Sequence, residues 1–355
     1  KESFALAAAY GLFHWGISAW AIYGIPAIAL SIAFYKYKLN TLRLSSSLRG
    51  LGFKNVEESL GGRLIDLIFV IATVGAAGGT IGSYIPMLSS GFSDILSIEN
   101  NFLLDLQVLA LCVGLFGFSV YSGLTKGIKR LSDLNLFLAI LFLIIVLFIG
   151  PTLEIIKNSL EGLIYTVKYF WDMSTLGILE QSDFADTWTI FYWAWWVAFG
   201  PLVALFIARI SKGRTLRELI LGMLIFGSLG TWMFYMILGG YSMSLEQAGT
   251  FSVMESLKEA GHANTAINIV HNMPFDKIML ILFCSITIIF VTTSYDSMSF
   301  VIAYHVQKNS AEQKDPDKEL RLFWAIVLGI LPAALVIYSD HSVATDLILI
   351  TSLPL

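Results

Sequence analysis

Long apolar segments dominate this chain and most constrain how it can fold. A helix needs roughly 20 apolar residues to cross a bilayer core, and we identify eight such segments: 4–35, 65–88, 102–124, 134–151, 186–210, 218–240, 277–305 and 321–339. A ninth segment begins near Val343 and continues to Leu355. Their apolar runs are continuous and do not alternate in polarity, which is typical of helices and not of barrel strands. The sequence therefore predicts an all-α polytopic membrane protein.

Composition excludes several classes of protein. The mean hydropathy is +0.74 and charged residues make up 14% of the chain, whereas soluble domains carry about 25%. This excludes a soluble enzyme and a disordered protein. The formal net charge of −4 provides no basic field for nucleic acid. The same composition excludes a disulfide-stapled secreted domain. Cys112 and Cys284 each lie in an apolar run and are interpreted as buried, inert thiols.

The basic residues alternate from loop to loop along the chain. Loops 36–64, 125–133, 209–217 and 306–321 hold 17 of the 22 Lys and Arg residues. Basic loops face the cytoplasm in membrane proteins, so these four loops are predicted to be cytoplasmic in a multi-pass protein of the cell (inner) membrane. The remaining five basic residues, all lysines, fall on the opposite side.

This orientation has two consequences for the rest of the chain. It places Lys1 outside the cell with no signal peptide before it, so we expect further membrane helices before Lys1 and beyond Leu355. The extracytoplasmic stretch 152–185 is expected to form a helix at the membrane interface, because its apolar residues recur at helical spacing: Ile155, Leu160, Leu163, Ile164, Val167 and Phe170.

Few ionisable residues lie deep within the apolar segments. Asp296 is followed by two serines and is interpreted as satisfied by backbone and hydroxyl groups, although a buried charge in a membrane also indicates function. His14 is interpreted as a hydrogen-bonded packing residue. The sequence contains no HExxH, no CxxC, no Gly-rich phosphate loop and no paired intramembrane carboxylates, so we do not expect an enzyme.

Two aromatic clusters are the most distinctive feature of the sequence. One contains Trp15, Trp20 and Tyr23, and the other runs from Phe191 to Trp196. On a continuous helix, Trp15, Tyr23 and Trp20 would lie at about 0°, 80° and 140° and share one broad face. Aromatic faces bind quaternary ammonium groups through cation–π attraction. The alternative is an interfacial aromatic belt, to which we assign four other tryptophans: Trp171, Trp188, Trp232 and Trp324.

Both clusters lie in motifs of a known family. The segment from Phe13-His14-Trp15-Gly16 to Trp20-Ala21-Ile22-Tyr23, and the segment from Trp188 to Trp196 that continues to Glu218, resemble the fourth and eighth helices of the betaine/choline/carnitine transporter (BCCT) family. The resemblance covers the chain as family helices four to eleven and the start of twelve. It implies an inverted-repeat sodium-symporter (LeuT-like) fold, incomplete at both ends. Residues 1–151 would be the remainder of the first repeat, 152–185 the extracytoplasmic helix and loop, and 186–355 the second repeat.

The resemblance also implies the site residues. The family's aromatic box for a trimethylammonium group corresponds to Trp15, Trp20, Tyr23 and Trp196, with Trp195 as a neighbouring aromatic residue. Phe199 stands where the family often has a tryptophan, so the site keeps an aromatic ring there but lacks one indole N–H.

A sodium site is implied in the same way. The family's sodium ligands correspond to Phe290, Thr293 and Ser294, whose spacing places them on one helical face; packing through small polar residues is the alternative. Sodium-independent exchangers of the family carry an arginine at the position of Asn135, and this difference favours a sodium symporter.

We therefore expect a secondary transporter for a quaternary-ammonium osmolyte of the glycine betaine, choline or carnitine type. It would work by alternating access with Na⁺ as coupling ion, in the lipid bilayer and with no nucleic-acid partner. The resemblance also implies a homotrimer, since family members are often trimers. A Na⁺-independent transporter of the same family, proton-coupled or exchanging substrates, is the alternative. A passive channel and a membrane receptor or structural subunit are the rivals from other classes.

Overall fold

The computed structural model describes residues 2–38, 43–53, 55–122, 125–175, 185–307, 316–338 and 341–355. Within these ranges the chain is helical and contains no β-strand, which confirms the all-α prediction. In chain order the helices are α1 Glu2–His14, α2 Ile17–Tyr35, α3 Leu60–Leu96, α4 Phe102–Ser122, α5 Thr125–Ile149, α6 Thr152–Lys168, α7 Phe170–Thr175, α8 Phe191–Ile210, α9 Leu216–Leu221, α10 Ser228–Phe234, α11 Gly240–Ala248, α12 Val253–His271, α13 Asp276–Val306, α14 Lys318–Tyr338 and α15 His341–Ser352.

Seven helical stretches in the described part of the chain are long and apolar enough to cross a membrane, which makes this a multi-pass membrane protein. They coincide with seven of the eight predicted segments: Glu2–Tyr35, Leu60–Leu96, Lys129–Ile149, Trp188–Ile210, Leu216–Ala248, Asp276–Val306 and Lys318–Val336. The eighth segment, 102–124, forms α4, whose described apolar part, Phe102–Phe118, is shorter. Four of the counted basic residues lie outside the described residues: Lys1, Lys54, Lys308 and Lys314.

The first segment is not one continuous helix. It ends as α1 at His14 and begins again as α2 at Ile17, and Gly16 between them has φ −106° and ψ −132°, outside the helical region. The single-helix geometry assumed for Trp15, Trp20 and Tyr23 is therefore wrong, because Trp15 lies at the break itself. The three side chains are brought together by the bend and not by helical periodicity.

The stretch predicted to be extracytoplasmic contains a helix, α6, which packs through a face that its apolar residues do not predict. Ile155, Asn158, Gly162 and Thr166 are buried, and a Cβ at Gly162 would lie 2.6 Å from Ala8 Cβ of α1. Three of the apolar residues point away from the protein, with Leu160, Ile164 and Val167 between 54% and 74% exposed. This amphipathic arrangement suits a helix whose outer face meets lipid.

The central helix, α3, packs closely against the C-terminal helices because its middle turns carry glycines. A Cβ at Gly75 would lie 2.4 Å from the Thr351 side chain of α15, and one at Gly78 would lie 2.4 Å from Leu331 of α14. Small residues allow helix backbones to approach closely within a membrane. The C-terminal helices are thereby anchored on α3, which also contacts α8 and α13.

The helical stretch from α9 to α11 is continuous but contains two π-helical turns, Gly222–Gly227 and Tyr235–Gly239. Each turn faces the broken first segment. A Cβ at Gly227 would lie 2.5 Å from the Trp20 ring, and one at Gly11 would lie 2.7 Å from the Tyr235 ring. The first π-turn therefore packs against the Trp20 ring of α2, and the Tyr235 ring of the second packs against Gly11 of α1.

Candidate functional site

The predicted substrate residues meet where α2 packs against α8. Tyr23 of α2 and Trp196 and Phe199 of α8 are buried, with 8%, 5% and 8% of their surface exposed. Trp20 of α2 and Trp195 of α8 pack at the edge of the same hydrophobic cluster. The packing of two helices thus brings together residues that are more than 170 positions apart in the sequence.

The aromatic rings of this cluster contact one another directly. The Trp196 ring centroid lies 4.6 Å from that of Trp15 and 5.9 Å from that of Tyr23, both edge to face. Tyr23 is 5.8 Å from Trp20, and Trp195 stacks on Trp196 at 5.6 Å. The Trp15 and Trp196 rings are in contact and leave no space between them. These two rings must therefore separate before a cation can bind between them.

Tyr192, which the sequence analysis did not assign to the site, is part of the same cluster. Its ring lies 5.8 Å from both Trp15 and Trp196 and stacks on Trp195 at 6.0 Å. Its place in the Phe191–Trp196 motif was visible in the sequence. Tyr235, which lies 5.8 Å from Trp15, comes from the second π-turn and had no such signal.

Side-chain hydrogen bonds stabilise the break between α1 and α2. Ending a helix leaves its last four carbonyls without intrahelical partners, and here these belong to residues 12–15. Trp196 Nε1 donates to the His14 carbonyl at 2.8 Å, and Trp232 Nε1 donates to the Leu12 carbonyl at 2.8 Å. The Thr231 hydroxyl donates to the Trp15 carbonyl, and the Ser18 hydroxyl donates to the Phe13 carbonyl.

Two of these donors were not expected at the site. Trp232 was assigned to an interfacial belt, and that assignment did not predict that its indole N–H donates to the break or that its ring lies against Gly16. Thr231 carried no signal in the sequence. Trp196 was expected to contribute its aromatic ring to the site. Its indole N–H also holds the backbone at the end of α1 through the His14 carbonyl. All four carbonyls that the break exposes are therefore satisfied.

We expect Gly16→Ala to destabilise the break. A Cβ at this position would lie 2.3 Å from the Leu12 carbonyl oxygen and 2.2 Å from Trp232 Nε1, so it would separate that donor from its acceptor. Overpacking of this kind costs about 1–3 kcal/mol. Gly24→Ala is the matched control, because a Cβ there meets no atom within 4 Å. The two variants are compared by thermal unfolding in detergent, and equal midpoints would contradict the assignment.

His14 is a hydrogen-bonded packing residue, as predicted. Its Nε2 shares a 2.9 Å hydrogen bond with the hydroxyl of the buried Thr189. Its ring stacks on Tyr192 at 4.8 Å and lies 5.2 Å from Phe13. His14 therefore supports the aromatic cluster from the side of α1.

The candidate sodium residues lie on α13, close to one member of the aromatic cluster. Thr293 and Ser294 line a cavity of about 300 Å³ together with Phe199 and Leu202 of α8. The Thr293 hydroxyl donates to the Ile289 carbonyl at 2.9 Å, which leaves its oxygen lone pairs available. Phe290 is 57% exposed. The hydroxyl oxygens of Thr293 and Ser294 are the ligand type that hard cations take and so fit Na⁺. Phe290 is not among the residues that line this cavity, and its carbonyl accepts a hydrogen bond from the Thr293 hydroxyl.

Asp296 has a different partner from the one expected. Its Oδ1 accepts a hydrogen bond from Arg321 Nη2 of α14 at 3.2 Å, and both side chains are about 92% buried or more. The sequence analysis counted Arg321 only as a loop charge. Burying either charge alone in this environment is costly, so the two residues depend on each other.

Comparison with known proteins places the whole chain in one group. The sequence profile described as "BCCT, betaine/carnitine/choline family transporter" matches residues 1–355. The chain is 31% identical over its full length to an uncharacterized transporter of Escherichia coli, 32% over 94% of its length to a carnitine transporter of Acinetobacter baumannii, and 32% over 99% to a glycine betaine transporter of Bacillus subtilis. It spans 74%, 61% and 68% of those proteins, respectively.

Proposed function

The chain belongs to the betaine/carnitine/choline transporter family, which has the LeuT-like fold, and from this premise we propose that it imports a quaternary-ammonium osmolyte by Na⁺ symport. The observation that carries the proposal is the contact between Trp15, Tyr23 and Trp196 across two helices. The carnitine and glycine betaine transporters among its relatives support a substrate with a trimethylammonium group.

The headgroup would bind between the rings of α2 and α8. A cation within about 6 Å of an aromatic face is attracted by the ring quadrupole, most strongly by tryptophan. Trp15, Trp20, Tyr23, Trp195 and Trp196 supply these faces, and Phe199 closes the side towards α13. Separation of Trp15 from Trp196 would admit the ligand, while the hydrogen bonds at the break keep the backbone in place.

Sodium would be held by Phe290, Thr293 and Ser294. When bound, it supplies the driving force of its gradient and of the membrane potential, which is about 2.3 kcal/mol per charge at 100 mV. The residues around it orient the site: Phe199 lines the cavity of Thr293 and Ser294 and also belongs to the aromatic cluster. This shared residue connects ion binding to substrate binding.

The orientation of the chain is also part of the proposal. Loops 36–64, 125–133, 209–217 and 306–321 are taken as cytoplasmic, in the inner membrane, from their Lys and Arg content. Residues 1–151 and 186–355 would belong to the two inverted repeats, with 152–185 outside. Alternating access would rock one group of helices against the other around the central site. Assembly as a homotrimer stays a prediction.

The proposal is tested by uptake into proteoliposomes with an inward Na⁺ gradient. We expect saturable accumulation of glycine betaine, choline or carnitine that stops when Na⁺ is replaced by K⁺. Accumulation that is unchanged without Na⁺ would overturn the symport and favour the proton-coupled or exchange alternative. A non-saturable leak would favour a channel.

A matched pair of variants on α13 tests the sodium residues. We expect Ser294→Ala to raise the Na⁺ concentration for half-maximal uptake about tenfold, since loss of one charge-assisted oxygen contact costs about 1.5–3 kcal/mol. Ser285→Ala is the control, because that exposed hydroxyl donates to Ile281 O on the same helix and lines no site. An equal Na⁺ requirement in both variants would remove Ser294 from the site.

A further inference from the structure

The buried face of α6 joins two parts of the protein that carry aromatic residues of the candidate site. Ile155, Asn158, Gly162 and Thr166 recur at helical spacing and are buried. Small and polar residues of this kind allow helices to approach closely and to form hydrogen bonds with each other. α6 packs both against α1 and against the second π-turn and α11. It therefore connects the helix that leads into the break with the turn that carries Tyr235.

A buried hydroxyl holds α6 to α1. The Thr166 hydroxyl lies 3.2 Å from the Ala9 carbonyl oxygen and 2.8 Å from the Gly162 carbonyl oxygen of its own helix, and it donates to both. A Cβ at Gly162 would lie 2.6 Å from Ala8 Cβ, so this glycine permits the close approach that the bond to α1 needs. Ala9 belongs to the same helix that ends next to Trp15. The Thr166 hydroxyl therefore helps to fix the helix that leads to Trp15.

Two further side chains hold α6 to the second π-turn and to α11. The Ser159 hydroxyl donates to the Met236 carbonyl at 2.9 Å and, at 2.7 Å, to a carbonyl of its own helix. The side-chain amides of Asn158 and Gln247 donate to each other at 3.3 and 3.2 Å. Met236 directly follows Tyr235 in the chain. The Ser159 hydroxyl therefore helps to fix the backbone beside Tyr235.

Tyr235 contacts α1 at the helix break. Its ring centroid lies 5.8 Å from that of Trp15, and a Cβ at Gly11 would lie 2.7 Å from the same ring. Trp15 lies after the end of α1 and before the start of α2, so its orientation depends on the rings that pack around it. The position of Tyr235 therefore influences how Trp15 faces a ligand.

We propose that Ser159 and Thr166 are positioning residues for the substrate site. Through α6 they hold α1 and the second π-turn together, and this keeps the Tyr235 ring against Trp15. Both hydroxyls act through the backbone of the neighbouring helices and not through the ligand. Loss of either hydroxyl lets the two rings separate, so that Trp15 no longer presents its face to a quaternary ammonium group. This inference rests on the proposed transport function.

Calorimetric titration of the full chain with glycine betaine tests the proposal. We expect Ser159→Ala and Thr166→Val each to raise the dissociation constant about threefold or more, because each removes one hydrogen bond between helices. Thr166→Val keeps the shape of the side chain and loses only the hydroxyl. Thr166→Ser keeps the hydroxyl and should stay within about twofold of the wild-type protein. Ser174→Ala is the control and should change nothing, because that hydroxyl donates to the Phe170 carbonyl within α7.

A double-mutant cycle separates positioning from a general loss of stability. If Ser159 acts through Tyr235, Ser159→Ala should change the dissociation constant less than about twofold in a Tyr235→Leu background, since coupled residues are not additive. The proposal is overturned if Ser159→Ala binds like the wild-type protein, or if it weakens binding by the same factor with and without Tyr235. If Tyr235→Leu does not fold, equal affinities in Thr166→Val and Thr166→Ser overturn it. A wild-type protein that binds no quaternary ammonium compound contradicts the proposed function instead.

Discussion

Replacing Trp196 by Leu is expected to reduce the affinity for a quaternary ammonium compound by at least tenfold. The substitution removes the ring that contacts both Trp15 and Tyr23, and a buried cation–π contact contributes about 1–2 kcal/mol or more. It also removes the N–H that donates to the buried His14 carbonyl. A buried carbonyl oxygen left without a hydrogen-bond donor lowers the free energy of unfolding by about 1–3 kcal/mol.

Trp196→Phe separates the two roles. Phenylalanine keeps an aromatic face but has no ring N–H, so we expect the unfolding midpoint to fall as in Trp196→Leu while most of the affinity is retained. Affinity is measured by calorimetric titration with glycine betaine, and stability by thermal unfolding. If Trp196→Leu binds as tightly as the wild-type protein, the aromatic cluster does not hold the headgroup and the substrate assignment falls.

Replacing Arg321 by Met is expected to destabilise the protein by about 3–5 kcal/mol, because it leaves the Asp296 carboxylate buried without its partner. The two groups are 3.2 Å apart and each has less than a tenth of its side chain exposed, so the carboxylate would lose its charged partner in a site with little contact to solvent. The pair joins α13 to α14, and its loss is expected to loosen the contact between these two helices.

A double variant, Asp296→Leu with Arg321→Met, provides the control. Replacing both members of a buried pair by apolar residues is often neutral or stabilising, so we expect the double variant to regain most of the stability lost in Arg321→Met. Thermal unfolding in detergent measures all three proteins. A double variant as unstable as the single one would show that Arg321 acts through its other contacts, such as the Phe300 ring, and not through the pair.

Much of the fold could be predicted from the sequence, because a membrane span is a local property of about 20 residues. Seven of the predicted segments coincide with long apolar helices. The break at Gly16 was missed because hydropathy is continuous across residues 4–35 and no proline marks the interruption. What stabilises the break, namely Trp232, Thr231 and Trp196, comes from elsewhere in the chain.

The aromatic residues of the candidate site were predictable in type and only partly in position. Their density in two segments indicated a surface for a quaternary ammonium group, and the structure places the two segments side by side. The pairing of Asp296 with Arg321 was not predictable, because it depends on which helices become neighbours. Arg321 lies near the start of α14. A basic residue at the end of a membrane span is usually interpreted as marking the cytoplasmic side, and not as one member of a buried ion pair.

The double use of Trp196 limits how this protein can diversify. Among the aromatic amino acids, tryptophan joins a broad apolar surface to a ring N–H that only donates, and position 196 uses both properties. A change of ligand preference by mutation at this position would have to supply a new donor for the backbone opposite it. Phe199 has no polar side-chain atom and donates no hydrogen bond to the backbone. Substitutions that change ligand preference at position 199 therefore need no replacement donor.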